Sequence, residues 1–153
     1  DLKAGTVRRD PMAMRPFIGY HVADFLNHWL KMGRKHGAKL PKIFFTNWFR
    51  KTKDGKWLWP GFGDNSRVLE WVFKRCDSAV DAVETPIGLL PKKEDINIEG
   101  LDVSAADMEE LLAVDTAGWK TELAAIKETY DSYGSKVPAE LVSQIAELEK
   151  RLS

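Results

Sequence analysis

Residues 42–70 read KIFFTNWFRKTKDGKWLWPGFGDNSRVLE, and the parsing of this stretch decides the fold. Ile43, Phe44 and Phe45 make a short apolar run, which predicts a buried strand. Asp54-Gly55 is a turn pair that separates this run from Trp57-Leu58-Trp59. Pro60, Gly61 and Gly63 oppose helix and permit tight turns, so Phe62 is expected on a loop. Asn65 or Ser66 then caps a helix that carries Val68, Leu69, Val72, Phe73 and Cys76 inward. The start of that helix points into the loop. Free amides and the positive end of the helix dipole gather there and favour electron-rich groups such as a carbonyl oxygen.

The aromatics of this stretch are too many for one short hairpin to bury unaided, and two readings compete. In the first, Trp48, Phe49, Trp57, Trp59 and Phe62 form a satellite core beneath a long loop. In the second, some of the rings make a slot for a flat ligand such as a nucleobase, gaining about 1–3 kcal/mol per stacked base. Asn65 and the loop backbone then read the base edge. Composition alone leaves both open.

The order of residues carries more than composition. NWFRK followed by GKWLWPGFGDNSRVLEW closely resembles the guanine-binding segment of GTP-dependent phosphoenolpyruvate carboxykinase. The likeness continues through DPMAMRPFIGY at 10–20, His28-Trp29-Leu30, LPKIF at 40–44 and Thr85-Pro86-Ile87-Gly88, and weakens after about Gly100. The resemblance implies that Phe49 and Phe62 stack on the guanine of GTP or GDP, with Trp57 in the place of a third ring that is usually phenylalanine. It also implies that Phe62, Gly63, Asp64 and Asn65 form the turn at the guanine edge, Asn65 closest to its hydrogen-bonding face. Glutamate is commoner than aspartate at the position of Asp64. Stacking would give affinity and the turn would give purine choice, since a buried group left unpaired by the wrong base costs about 1–3 kcal/mol.

The same resemblance implies a fold of mixed α/β class: a helix, a buried strand, the aromatic loop, a second helix and a C-terminal helical part. Residues 1–100 are expected as the guanine-binding part of the nucleotide-binding lobe, and residues 101–153 as C-terminal helices packing on it. The whole enzyme decarboxylates oxaloacetate and phosphorylates the resulting enolate from GTP, giving phosphoenolpyruvate, GDP and carbon dioxide, a lyase step of gluconeogenesis. Manganese and magnesium belong to that whole enzyme, with ligands outside this chain. The implied partners are guanine nucleotide and the remainder of a monomeric, cytoplasmic enzyme, with neither nucleic acid nor membrane. No catalytic residue is expected here; the segment holds the base and is inactive alone.

Outside the motif, 153 residues with 44% hydrophobic and 30% charged content describe an ordinary globular chain. It begins Asp1-Leu2-Lys3 without a methionine, and the resemblance places that point deep in a longer protein, so a C-terminal fragment is expected. A formal charge of zero hides an asymmetry: 13 basic and 4 acidic residues up to Lys56, then 10 against 19. That asymmetry suits an anionic ligand, or equally a basic face docking on an acidic one. With the interleaved rings it also keeps alive a runner-up, a non-enzymatic module that stacks single-stranded nucleic acid and whose binding weakens steeply with salt.

Residues 1–16 read as a loop, which the resemblance places at the trailing end of a mobile lid. Arg8, Arg9 and Arg15 are either solvated or phosphate-facing. Val22, Phe25, Leu26, Trp29 and Leu30 recur at helical spacing, with Gly33 and Gly37 at the exit. His21, His28 and His36 are spaced by seven and eight residues with no acidic or cysteine partner at a ligand spacing, so no metal site is expected. Cys76 stands alone, which removes any disulfide framework and predicts a buried, inert thiol.

Residues 79–90 are expected to be extended and 91–100 to be a charged connector. Ser104 and Asp107 have the form of a capping box ahead of Met108, Leu111 and Leu112. Trp119, Leu123, Ile126 and Tyr130 mark a further helix. Pro138 opens another, bearing Leu141, Ile145, Leu148 and Leu152. No G-x-x-x-x-G-K-[ST] phosphate loop occurs, and no apolar run approaches the ~20 residues of a membrane span.

Overall fold

Five helices and one small hairpin account for the regular structure of residues 9–153, the part that the computed structural model describes. The expected lid flank at residues 1–6 and Arg8 lie outside it. In chain order the elements are α1 (Val22–Gly33), α2 (Asn65–Cys76), β1 (Val83–Thr85), β2 (Gly88–Leu90), α3 (Ala105–Leu112), α4 (Thr116–Asp131) and α5 (Ala139–Arg151). This is the mixed α/β class expected. The described residues divide into two compact units, one of residues 9–40 with 116–153, the other of residues 41–115.

The first unit is helical. α1 forms where the apolar spacing predicts it, and its N-terminus is closed by His21, whose Nδ1 accepts from the Ala23 N–H at 3.1 Å. That contact gives His21 a local structural role. Gly33 ends the helix. Arg9 pairs with Glu122, and the Arg15 guanidinium donates to the Arg9 carbonyl at 3.3 Å. α4 and α5 pack as neighbours, with Leu123, Tyr133 and Leu152 buried and Lys127 bridging to both carboxylate oxygens of Glu149 at 2.8 Å.

The second unit holds the aromatic stretch and a core of Trp59, Trp71, Ile96, Val103 and Met108. Its hairpin is antiparallel, with Val83 opposite Leu90 and Thr85 opposite Gly88, so the extended residues 79–90 fold back on themselves at Pro86-Ile87. α3 starts at the predicted capping box. The Ser104 hydroxyl accepts from the Asp107 N–H at 3.1 Å, and Asp107 accepts from the Ser104 N–H at 2.8 Å.

Three local expectations are overturned. Residues 43–45 form no strand: a strand needs a ladder partner, and none runs beside them among the described residues. Phe44 alone turns inward, edge-on to Trp71 at 6.0 Å, while Ile43 is exposed and Phe45 is 94% exposed. Neither Asn65 nor Ser66 caps α2: Asn65 accepts from the Trp59 indole, Ser66 donates to the Gly63 carbonyl at 2.6 Å, and the N-cap is Asp64, which makes no side-chain cap bond. The buried face of α2 is also rotated from the one expected. Trp71 is buried, with Val68 and Val72 beside it, whereas Leu69, Phe73 and Cys76 are exposed. One bulky indole fills the space that the smaller residues were expected to fill, and only one face of a helix can reach the core. Lys42 closes the far end of α2, its ammonium donating to the carbonyls of Arg75 at 2.7 Å and Cys76 at 3.3 Å.

Candidate functional site

The turn at Asp54-Gly55 is real and narrow. Leu58 N–H donates to the Arg50 carbonyl at 3.1 Å, Thr52 N–H donates to the Lys56 carbonyl at 2.9 Å, and Lys51 and Trp57 form a single antiparallel bridge. The loop is fastened from below by Arg50, whose guanidinium reaches the carbonyls of Leu111 at 2.8 Å and Ala113 at 3.4 Å at the end of α3. A cation at a helix C-terminus satisfies carbonyls that have no partner within the helix.

This small hairpin sorts its rings to opposite sides. Side chains alternate along an extended segment. Leu58 is accordingly buried and Trp57 is 50% exposed; Trp59, at the end of the bridge, turns into the core and is only 6% exposed. Phe49 is 74% exposed and meets Trp57 edge-on, with centroids 6.0 Å apart and planes at 64°. The Lys51 ammonium lies 4.0 Å from the centroid of the Trp57 ring, a cation–π contact worth about 0.5–1 kcal/mol at an exposed site. The satellite-core reading therefore holds for Trp59 and the half-buried Trp48 and fails for Phe49, Trp57 and Phe62.

After Pro60 the chain makes a turn that only unusual backbone angles allow. Gly61 has φ 80° and Phe62 has φ 48°. The second value lies in the left-handed region, which costs a non-glycine residue about 1–2 kcal/mol. The ring at this strained position is 98% exposed and packs on none of the described residues. Phe62, Gly63 and Asp64 form one 3-10 turn that runs directly into α2 at Asn65. Asp64 is held by Arg67, Nε to Oδ1 at 3.4 Å, while the other end of that guanidinium donates to the Asn97 carbonyl at 3.0 Å.

Of the six residues expected at the site, Phe49 and Trp57 form one group and Phe62, Gly63, Asp64 and Asn65 another. The second group is anchored by a residue outside those six: the Trp59 indole N–H donates to Asn65 Oδ1 at 3.0 Å. Lys51 and Arg50 give no signal of their roles in the sequence, since a lysine or arginine between two aromatics looks like any solvated charge until its partners are seen. Among the described residues no group of three or more His, Cys, Asp or Glu side chains could hold a metal ion. No helix among them is long and apolar enough to cross a membrane.

The architecture is that of a mixed α/β domain which displays exposed rings and a polar turn at the mouth of one helix. The chain belongs to the family described as the phosphoenolpyruvate carboxykinase C-terminal P-loop domain, whose model matches residues 1–151. It is 52% identical over 153 residues to phosphoenolpyruvate carboxykinase (GTP) of Treponema pallidum strain Nichols, covering 99% of this chain and 25% of that protein. It is 52% identical over 149 residues to the protein of the same name from Paenarthrobacter aurescens, covering 97% and 24%. With that of Corynebacterium glutamicum strain R it shares 46% over 153 residues, covering 100% and 25%. The chain thus spans about a quarter of the length of these relatives. The phosphate loop of the family's description has no counterpart in the 153 residues.

Proposed function

We propose that this chain forms the guanine pocket of a GTP-dependent phosphoenolpyruvate carboxykinase. Phe49, Trp57 and Phe62 cover the base, and the Phe62-Gly63-Asp64-Asn65 turn reads its edge. One observation carries the proposal: Phe62 is held on a strained backbone with its ring almost wholly in solvent, three residues after the buried Trp59. Strain of that kind is retained where the exposed side chain has work outside the fold. A stacked base contributes about 1–3 kcal/mol per contact, enough to offset it.

The reaction assigned to the whole protein is decarboxylation of oxaloacetate with phosphoryl transfer from GTP, in the cytoplasm and in a monomer. Metal ions and substrate are held by residues beyond those described. The role of this segment is to fix the nucleoside so that the phosphates reach the transferring centre, a contribution of positioning rather than bond-making. The runner-up, a module for single-stranded nucleic acid, finds no support in the family match or in the named relatives.

The complete gene product is to be titrated with GDP and with ADP at moderate salt while tryptophan emission is followed. GDP is expected to quench Trp57 and ADP to bind at least about fivefold more weakly, from the cost of an unpaired base edge. Equal affinity for the two would refute the guanine pocket. Residues 1–153 on their own are expected to show no turnover of oxaloacetate, and measurable turnover would refute the division of labour.

A further inference from the structure

Trp59 and Asn65 are joined by a bond whose polarity runs one way. An indole N–H donates and never accepts, so the Asn65 atom 3.0 Å from it is the amide oxygen. That settles which of its two flips the amide adopts. Trp59 itself has no freedom to follow a different choice, being buried in the core cluster with the adjacent Leu58 N–H tied to Arg50. Asn65 is half-buried; no described residue accepts from its Nδ2, and that nitrogen is not sealed from solvent. The turn therefore presents a fixed donor.

We infer that Trp59 is a positioning residue for purine choice: its indole N–H holds the Asn65 amide oxygen inward, leaving the Nδ2 hydrogens for a 6-oxo purine and against a 6-amino purine. This rests on the guanine reading above and adds to it the residue that sets the sense of the contact. A 6-oxo purine presents an acceptor, O6, to those hydrogens. A 6-amino purine presents a donor, and two donors face each other. Without the indole N–H the amide is free to flip, and its oxygen accepts from a 6-amino group. The turn then loses its preference without losing its shape.

The test compares GDP with 2,6-diaminopurine riboside diphosphate, which keeps the 2-amino group and changes the 6-position and its neighbouring ring nitrogen. Dissociation constants are measured on the complete gene product for the wild type, Trp59→Phe, a variant carrying benzothienylalanine at position 59, and Asn65→Asp. The benzothienyl ring keeps the bicyclic volume and lacks the N–H, so it stands in if Trp59→Phe fails to fold. Loss of one neutral hydrogen bond predicts a fall of about two- to tenfold in the ratio of GDP to diaminopurine affinity for either Trp59 variant. Asn65→Asp keeps an acceptor for the indole, offers oxygen to the base and is expected to lower the ratio at least as far. An unchanged ratio, or equal weakening of both nucleotides, would overturn the inference, because a purely structural role weakens both alike. A wild type that binds GDP no better than ADP would instead defeat the guanine reading itself.

Discussion

Replacing Phe62 by glycine should strengthen the fold and weaken the nucleotide site at once. The ring is 98% exposed, so its removal forfeits no packing. The backbone at φ 48° costs phenylalanine about 1–2 kcal/mol that glycine does not incur. Glycine adds back about 0.5–1 kcal/mol through the greater freedom of its unfolded chain. The balance is a gain of up to about 1.5 kcal/mol, each kcal/mol raising Tm by roughly 2–4 °C for a chain of this size. Guanine affinity should fall by about 1–3 kcal/mol, roughly 5- to 150-fold, because one stacking face is gone. Phe62→Ala separates the two effects: it removes the ring but keeps a side chain in the left-handed conformation, so affinity falls with no gain in Tm. Calorimetric melting and GDP titration on the same preparations give both readings. A Phe62→Gly protein that melts lower than wild type, or that binds GDP as tightly, would refute the reasoning.

Arg50→Met should destabilise the protein by about 1.5–3 kcal/mol in urea unfolding, since it strips a charged donor from the carbonyls of Leu111 and Ala113 at the end of α3. Trp71→Phe should cost far less than Trp71→Ala. The indole nitrogen of Trp71 is buried without a partner among the described residues, so losing it returns about 1–3 kcal/mol against the lost volume, whereas alanine costs about 3–5 kcal/mol. Asp107 is held below the ordinary aspartate value, chiefly by the backbone N–H of Ser104 and then by its hydroxyl. A depressed folded value means that its stabilisation is present at neutral pH and is lost as pH falls through that value. The stability gap between wild type and Asp107→Ala should therefore close in acid, and a gap constant from pH 7 to pH 2 would argue against the capping box.

Much of the helical framework was legible because it rests on local rules. The capping box at Ser104 and Asp107, the apolar spacing of α1 and the proline before α5 each state their element within a few residues. The run Ile43-Phe44-Phe45 misled because a strand is a property of two segments, and sequence periodicity describes only one. α2 misled for another reason: Trp71 sits between two apolar rows, and only packing decides which row turns inward. At the candidate site, the order of residues carries the family resemblance, whereas the sorting of rings into buried and exposed was not readable from it. Trp57 and Trp59 are chemically identical and two positions apart, and the single bridge at Lys51 ends between them. The link from Trp59 to Asn65 leaves no trace in composition, since any buried indole seeks an acceptor and the sequence does not say which one it meets.

That sorting bears on how the site could change over generations. Phe62 carries none of the fold's packing and Trp57 only what its half-buried ring gains from Phe49 and Lys51, while the intervening Leu58 and Trp59 carry a great deal. Selection on ligand and selection on folding therefore act on different residues of the same short segment. In the proposed pocket a substitution at position 62 is weighed mainly by the nucleotide, so the surface can adapt while the scaffold beneath it stays intact.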